Sequence, residues 1–410
     1  MPQQARTNTR LRAARVAAGY HSQQALASAL SVGVRQVRRW ESEAPPWPHP
    51  DLQERLTRLL SQTMEGLGFR APAGRDSGPE LRRPQRASAS GVLAAVPLQS
   101  AAAMQPATVA TDYQSVTRAH RRMYWSVAPA TLHPTVLAHA ALGCSLLPET
   151  AGQTRASVAS ALGESWLLAG RIEFFDLQEP ERAAATLLRA LQAAGEADDQ
   201  LLGAAVLAHS AFIPAWKGRR DDAVQRLVAA RTYARRGSAP AILLAWLDAV
   251  EAECETRAGN TRTALHLIGH AEDLLADDVD QEVGPEWLDW FSPVRLQAFR
   301  GDTELRAGHL PQARTTLTAV LEALPADEEK QRSVVLGDLA AVEAAAGSPE
   351  AACQHALSAL DQLERTWYAT GMDRIREVRR SLAPHQHEPC VRALDERLYG
   401  WSTTVSALAR

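Results

Sequence analysis

The chain is poor in cysteine and aromatic residues, has only two asparagines, Asn8 and Asn260, and lacks any long unbroken apolar run. Its four cysteines, Cys144, Cys254, Cys353 and Cys390, lie more than 30 residues apart with no C-x-x-C pair, which excludes a sequence-evident disulfide framework. The longest greasy stretch, 201–216, contains His209, Ser210 and Pro214 and falls short of the roughly 20 residues a membrane span needs. Arg6, Arg10 and Arg12 are followed by no apolar segment of the leader or anchor type, so a cytoplasmic protein with no membrane partner is expected. No G-x-x-x-x-G-K-[ST], H-E-x-x-H or G-x-S-x-G is present. Neither an enzyme nor a cofactor is expected.

A soluble globular composition remains, 46% apolar and 22% charged over 410 residues, long enough for two or three domains or a repeat array. The net charge of −3 hides an asymmetry. Residues 1–90 hold 14 arginines and no lysine against 7 acids, which leaves 30 basic against 40 acidic of the whole chain's 44 and 47. A basic head attracts polyanions and an acidic body does not, so contact with nucleic acid belongs at the N-terminus.

Residues 71–110 read as a flexible linker rich in Ala, Pro and Ser, without Trp, Phe or Tyr. From 111 to 410 apolar residues recur at helical spacing with no alternating strand pattern, so the fold class is all-α. Gly218, Gly259, Gly308 and Gly347 each close a helical pattern, and five residues after each stands an alanine, Ala223, Ala264, Ala313 and Ala352. A helix-stopping Gly, a tight turn and a small residue at the next helix's crossing make a helical hairpin. Pro311 and Pro349 suit the first turns of second helices, and residues 178–183 look like a degenerate earlier copy. The spacings of 41, 49 and 39 residues exceed the roughly 34 of a strict tetratricopeptide repeat. A right-handed superhelix of stacked hairpins is the expectation.

In the head (1–70), Leu11, Ala14 and Ala18 form one apolar stripe, ended by Gly19. Ser22 caps a second helix whose Leu26, Ala27 and Leu30 face inward, and a short turn through Gly33 leads to a third. There Val37 and Trp40 face inward while Arg35, Gln36, Arg38 and Arg39 face outward. The run from Ser22 to Ala27 and the run from Val37 to Glu41 resemble the helix-turn-helix of the phage-repressor-like (Xre) family. The resemblance covers residues 8–69 and implies five helices, the last two at 50–60 and 62–67. It implies that Val34, Arg35, Gln36 and Arg39 read base edges, through pairings that Arg, Gln and Val make with guanine, adenine and the thymine methyl. Ser22, Gln23 and Arg38 would hold phosphates. Arg15 and Glu41 would form a structural ion pair.

A head of this kind followed by a helical array resembles the Xre and tetratricopeptide regulators abundant in actinobacteria. That implies double-stranded DNA as partner, a palindromic operator read by a homodimer, and an array that self-associates and takes a peptide, small-molecule or protein ligand. The alternative is a scaffold whose array binds a partner protein while the head tethers it weakly to DNA. Sensors of the peptide kind clamp the peptide backbone with groove asparagines, which this array lacks apart from Asn260. Trp287, Trp290 and Phe291, with Phe299, Phe174 and Phe175, read as a helical core stripe from their spacing. Trp287, Trp290, Asp289 and Arg295 are the weaker candidates for ligand binding. His385, His387 and Cys390 fall in a proline-bounded stretch that reads as a surface turn, with no metal expected.

Overall fold

A computed structural model describes residues 8–69, 104–277 and 284–408, except 31, 43, 44, 61 and 65, and every regular element among the described residues is helical. The chain divides into two units, 1–96 and 97–410. The expected linker lies outside the described residues up to 103. Its far end does not: Gln105 N–H donates to the Glu149 carbonyl at 2.8 Å and a helix starts at Thr108, so the second unit begins before the expected 111.

Unit 1 contains α1 (Thr9–Ala17), α2 (Gln23–Ala29), α3 (Val34–Trp40) and α4 (Pro50–Leu60). Leu11, Leu26, Leu30, Val37, Trp40, Leu56 and Phe69 meet in one apolar core, with Phe69 edge-on to the Trp40 indole at 6.4 Å. Two expectations fail here. Residues 62–67 form turns among the described positions and not a fifth helix, and Leu67 at their end and Phe69 two residues on plug the core. Ala18 is exposed, and Arg15 takes the buried place one turn earlier. Asn8 ties the pieces together: its Oδ1 caps α1 at Leu11 N–H, and its Nδ2 donates to the Trp40 and Leu67 carbonyls.

Unit 2 opens with α5 (Thr108–Met123) and α6 (Pro129–Leu146), then runs through five hairpins. These are α7 (Gly152–Arg171) with α8 (Pro180–Glu196), α9 (Gln200–Trp216) with α10 (Arg220–Arg236), α11 (Ala241–Arg257) with α12 (Thr261–Ala276), α13 (Pro293–Arg306) with α14 (Leu310–Ala323), and α15 (Glu329–Ala345) with α16 (Pro349–Arg365). Helices α17 (Ala369–Ser381) and α18 (Pro389–Leu408) complete it. Each hairpin packs on the next, first helix against first helix. The turns follow from backbone sterics: Gly218, Gly259, Gly308 and Gly347 all sit at φ between 70° and 83°, where a Cβ is costly. The alanines five positions on are fully buried at the helix crossings. In the 178–183 copy Gln178 takes the same left-handed conformation without being glycine, and Ala183 is buried likewise.

Helix α9, which contains the greasy stretch, is a buried core helix. The segment Pro129–Glu149 alone among the described residues has the length and mean hydropathy (1.2) of a membrane-crossing helix, and it packs on α5 and α7 with His133 and His139 buried.

Stacked hairpins contact their neighbours by default, yet this array also closes across itself. Lys330 on α15 reaches Asp176, Thr370 Oγ1 on α17 donates to the Phe175 carbonyl, and Arg121 on α5 pairs with Asp289.

Candidate functional sites

The first site is the outer side of α3. Val37 and Trp40, one turn apart, are fully buried and fix the helix's rotation, so Arg35, Arg38 and Arg39 stand in solvent while Val34 and Gln36 are half-buried at its edges. Gly33 is the N-cap and supplies no side-chain acceptor, so the first N–H groups of α3 are left without a side-chain cap. Ser22 Oγ accepts from Ala25 N–H at 3.0 Å and starts α2 beside it.

Beneath α3, Arg15 Nε lies 2.7 Å from Glu41 Oε1, both side chains out of solvent, and Arg15 Nη1 donates to the Tyr20 carbonyl at 2.6 Å. Glu41 Oε2 accepts from Gln23 Nε2 at 2.6 Å. Gln23, nominated for a phosphate, thus spends its amide in this structure on Glu41, linking the start of α2 to the end of α3.

The second site is a cavity of about 150 Å3 inside unit 2. Its aromatic wall includes Trp125, Phe212, Trp246, Trp290, Phe291 and Phe299. Trp287, Trp290 and Phe291 are buried in the core as expected, but residues 285–291 are a turn segment and not a helix, which Pro285 and Pro293 signalled. Of the four nominated ligand residues, Trp290 and Arg295 line the cavity and Trp287 and Asp289 do not. Trp287 stacks behind Trp290 at 5.6 Å, and Asp289 accepts from Arg121. Arg295 is itself engaged: Nε bonds Glu328 at 3.0 Å, Nη1 bonds the Trp290 carbonyl, and its guanidinium lies 4.1 Å from the Trp125 ring.

Arg171 is the residue the sequence reading missed. It is the last residue of α7, immediately before a five-residue π-helical turn, Ile172–Asp176, a feature that often accompanies functional sites. Its guanidinium lies 4.5 Å from the Trp290 ring and 4.9 Å from Tyr124, and the side chain is buried. The legible signal was a single charge inside the apolar run from Trp166 to Ile172. His209 sits against Trp246 and Trp290, and burial, with the nearby Arg171 charge, holds it well below the ordinary histidine range.

Around the rest of the cavity the charges pair. Lys330 Nζ is 2.6 Å from Asp176, Arg257 Nε 2.8 Å from Glu253, and Arg374 Nε 3.1 Å from Asp338. Burial pushes the Asp338 carboxyl up to about 7. Away from the cavity, only part of the expected surface turn is one: His385 ends a short 3-10 helix (Ala383–His385) with its Nδ1 2.6 Å from Glu388, His387 lies in the turn after it, and Cys390 is in the first turn of α18.

No family model matches the chain, and no curated protein matches it.

Proposed function

We propose that the chain is a sequence-specific DNA-binding transcriptional regulator that places α3 in the major groove, and that it works in the cytoplasm. The observation that carries this reading is the exposed set Arg35, Arg38 and Arg39 on a helix whose opposite side is locked by Val37 and Trp40. Arginines fixed in this way match the donor and acceptor pattern of guanine edges and the phosphates flanking them. The basic head supports the same reading through its sequence-independent attraction to a polyanion. The Xre resemblance supports it through the order of α1 to α4.

In this reading the protein is a homodimer, because two heads about one helical turn apart gain affinity and select a palindrome. Unit 2, of the tetratricopeptide type, provides self-association and receives a ligand. Selection of bound duplexes from a random pool, followed by salt titration on selected and random duplexes, tests the proposal. A palindromic consensus, with a base-dependent affinity on top of a shared salt slope, is expected. Absence of any consensus overturns it in favour of the scaffold with a weak DNA tether, and a monomer at micromolar concentration in light scattering overturns the dimer.

A further inference from the structure

Four buried donors on residues lining the cavity of unit 2 lack a hydrogen-bond partner among the described residues. Two of them, Arg295 Nη2 and Arg374 Nε, still lie beside a carboxylate, Glu328 at 2.9 Å and Asp338 at 3.1 Å, which leaves two. Arg171 Nε and Trp290 Nε1 are both buried without a hydrogen-bond partner among the described residues. Buried polar groups are nearly always paired, because leaving one unpaired costs its full desolvation. Arg171 is 7% exposed and is permanently cationic by its chemistry. Nearby Asp176 is already committed, to Lys330 Nζ at 2.6 Å and to the Tyr124 hydroxyl at 3.1 Å. The other cationic walls have their own carboxylates: Arg295 has Glu328, Arg257 has Glu253, and Arg374 has Asp338 and Asp302. Among the described residues Arg171 is left as the cavity's cation without its own carboxylate, its guanidinium 4.5 Å from the centre of the Trp290 indole.

We infer that this cavity binds a small aryl carboxylate, its carboxylate on Arg171 and Trp290 Nε1 and its ring among the aromatic side chains. The charge and the two donors call for an anionic acceptor, and a guanidinium matches a carboxylate in a planar fork. The wall calls for a flat apolar body, since Trp246, Phe212 and Phe299 line it with aromatic rings. Size agrees with a small ring: about 150 Å3 is the space that holds a benzene-sized group. The inference rests on the reading of unit 2 as the ligand-receiving part of a regulator, and it names the class of that ligand.

The test uses the full chain without DNA, so its failure is read separately from any failure of DNA binding. Benzoate, phenylacetate and indole-3-acetate are titrated by calorimetry and tryptophan fluorescence, each beside its neutral amide and beside inorganic phosphate. At least one acid is expected to bind at least about tenfold more tightly than its amide and than phosphate, with a change in tryptophan emission. Arg171→Met is expected to abolish the preference for acid over amide while keeping the helical circular dichroism. Trp290→Phe, which retains a ring but removes the Nε1 donor, weakens acid binding several-fold and serves as the second variant if Arg171→Met does not fold. No acid binding at millimolar concentration, equal binding of acid and amide, or phosphate binding as tightly as the acids overturns the inference. So does an acid preference that survives in both variants.

Discussion

Lys330 Nζ lies 2.6 Å from the carboxylate of Asp176, 154 residues earlier in the chain, and both side chains are shut off from solvent. Lys330 is one of only two lysines in the protein. Its ammonium also faces the Tyr124 ring at 3.6 Å, so the charge is balanced by an ion pair and a π face together. Burial pulls the lysine below its usual range and pushes the aspartate above its own, and the pair opposes both effects. This contact joins the π turn after α7 to α15 and holds the array closed around its cavity.

Removing one partner strands the other in a nonpolar environment. Asp176→Asn is expected to destabilise unit 2 by about 3–5 kcal/mol in denaturant unfolding, whereas Lys330→Met combined with Asp176→Leu costs much less, since no lone charge remains. Equal losses for the single and the double variant would show that packing, not the charge, sets the cost.

The same reasoning governs Glu41 in unit 1. Glu41→Ala leaves Arg15 4% exposed with only the Tyr20 carbonyl as partner, and it frees Gln23. A loss of about 3 kcal/mol in the stability of unit 1 is expected, measured on its own unfolding transition. An unchanged melting temperature removes the ion pair from the account of the head.

The features that are local in sequence were legible. A glycine and an alanine five residues apart encode a left-handed turn and a close crossing within one stretch, and φ of 70° to 83° at Gly218, Gly259, Gly308 and Gly347 matches that reading. The inward Val37 and Trp40 with outward arginines follow from one helical period. What could not be read was pairing at a distance. Lys330 with Asp176 and Arg121 with Asp289 have no local signature, so the closure and the cavity it makes were invisible. Trp287 and Trp290 are core residues as their spacing suggested, but in a turn segment that reproduced helical spacing and not in a helix.

Protonation of a buried histidine pair gives a pH signature. His139 stacks on Tyr113 at 4.0 Å, lies 2.9 Å from Thr117 Oγ1 and faces His120, and burial first, then the His120 charge, pushes it down to about 4. In the unfolded chain it takes a proton near 6.5, so between about 6.5 and 4 the unfolded state binds more protons and stability falls as pH falls. Glu164, raised to about 7 by burial, acts in the opposite direction between 7 and 4.5. Melting curves of wild type and His139→Gln are therefore compared at each pH. The variant gains relative to wild type as the pH drops through that window, and a constant difference would mean that His139 is not the proton acceptor.

The arginines of α3 differ in what their loss should do. Arg35 and Arg39 project from the side opposite Val37 and are the nominated base readers, with Gln36 and Val34 at the edges, whereas Arg38 is nominated for phosphate. Arg35→Ala or Arg39→Ala is expected to cost about 1–3 kcal/mol on the selected duplex and little on random duplex, because a base contact is lost and the counterion term is nearly kept. Arg38→Ala should weaken both duplexes alike and lower the salt slope by about one. The three residues are exposed, so none of these changes should move the melting temperature of unit 1, and binding is the quantity to read. Equal losses on both duplexes for Arg35 and Arg39 would make all three phosphate contacts, and recognition would then have to come from Gln36 and Val34 or from the shape of the DNA.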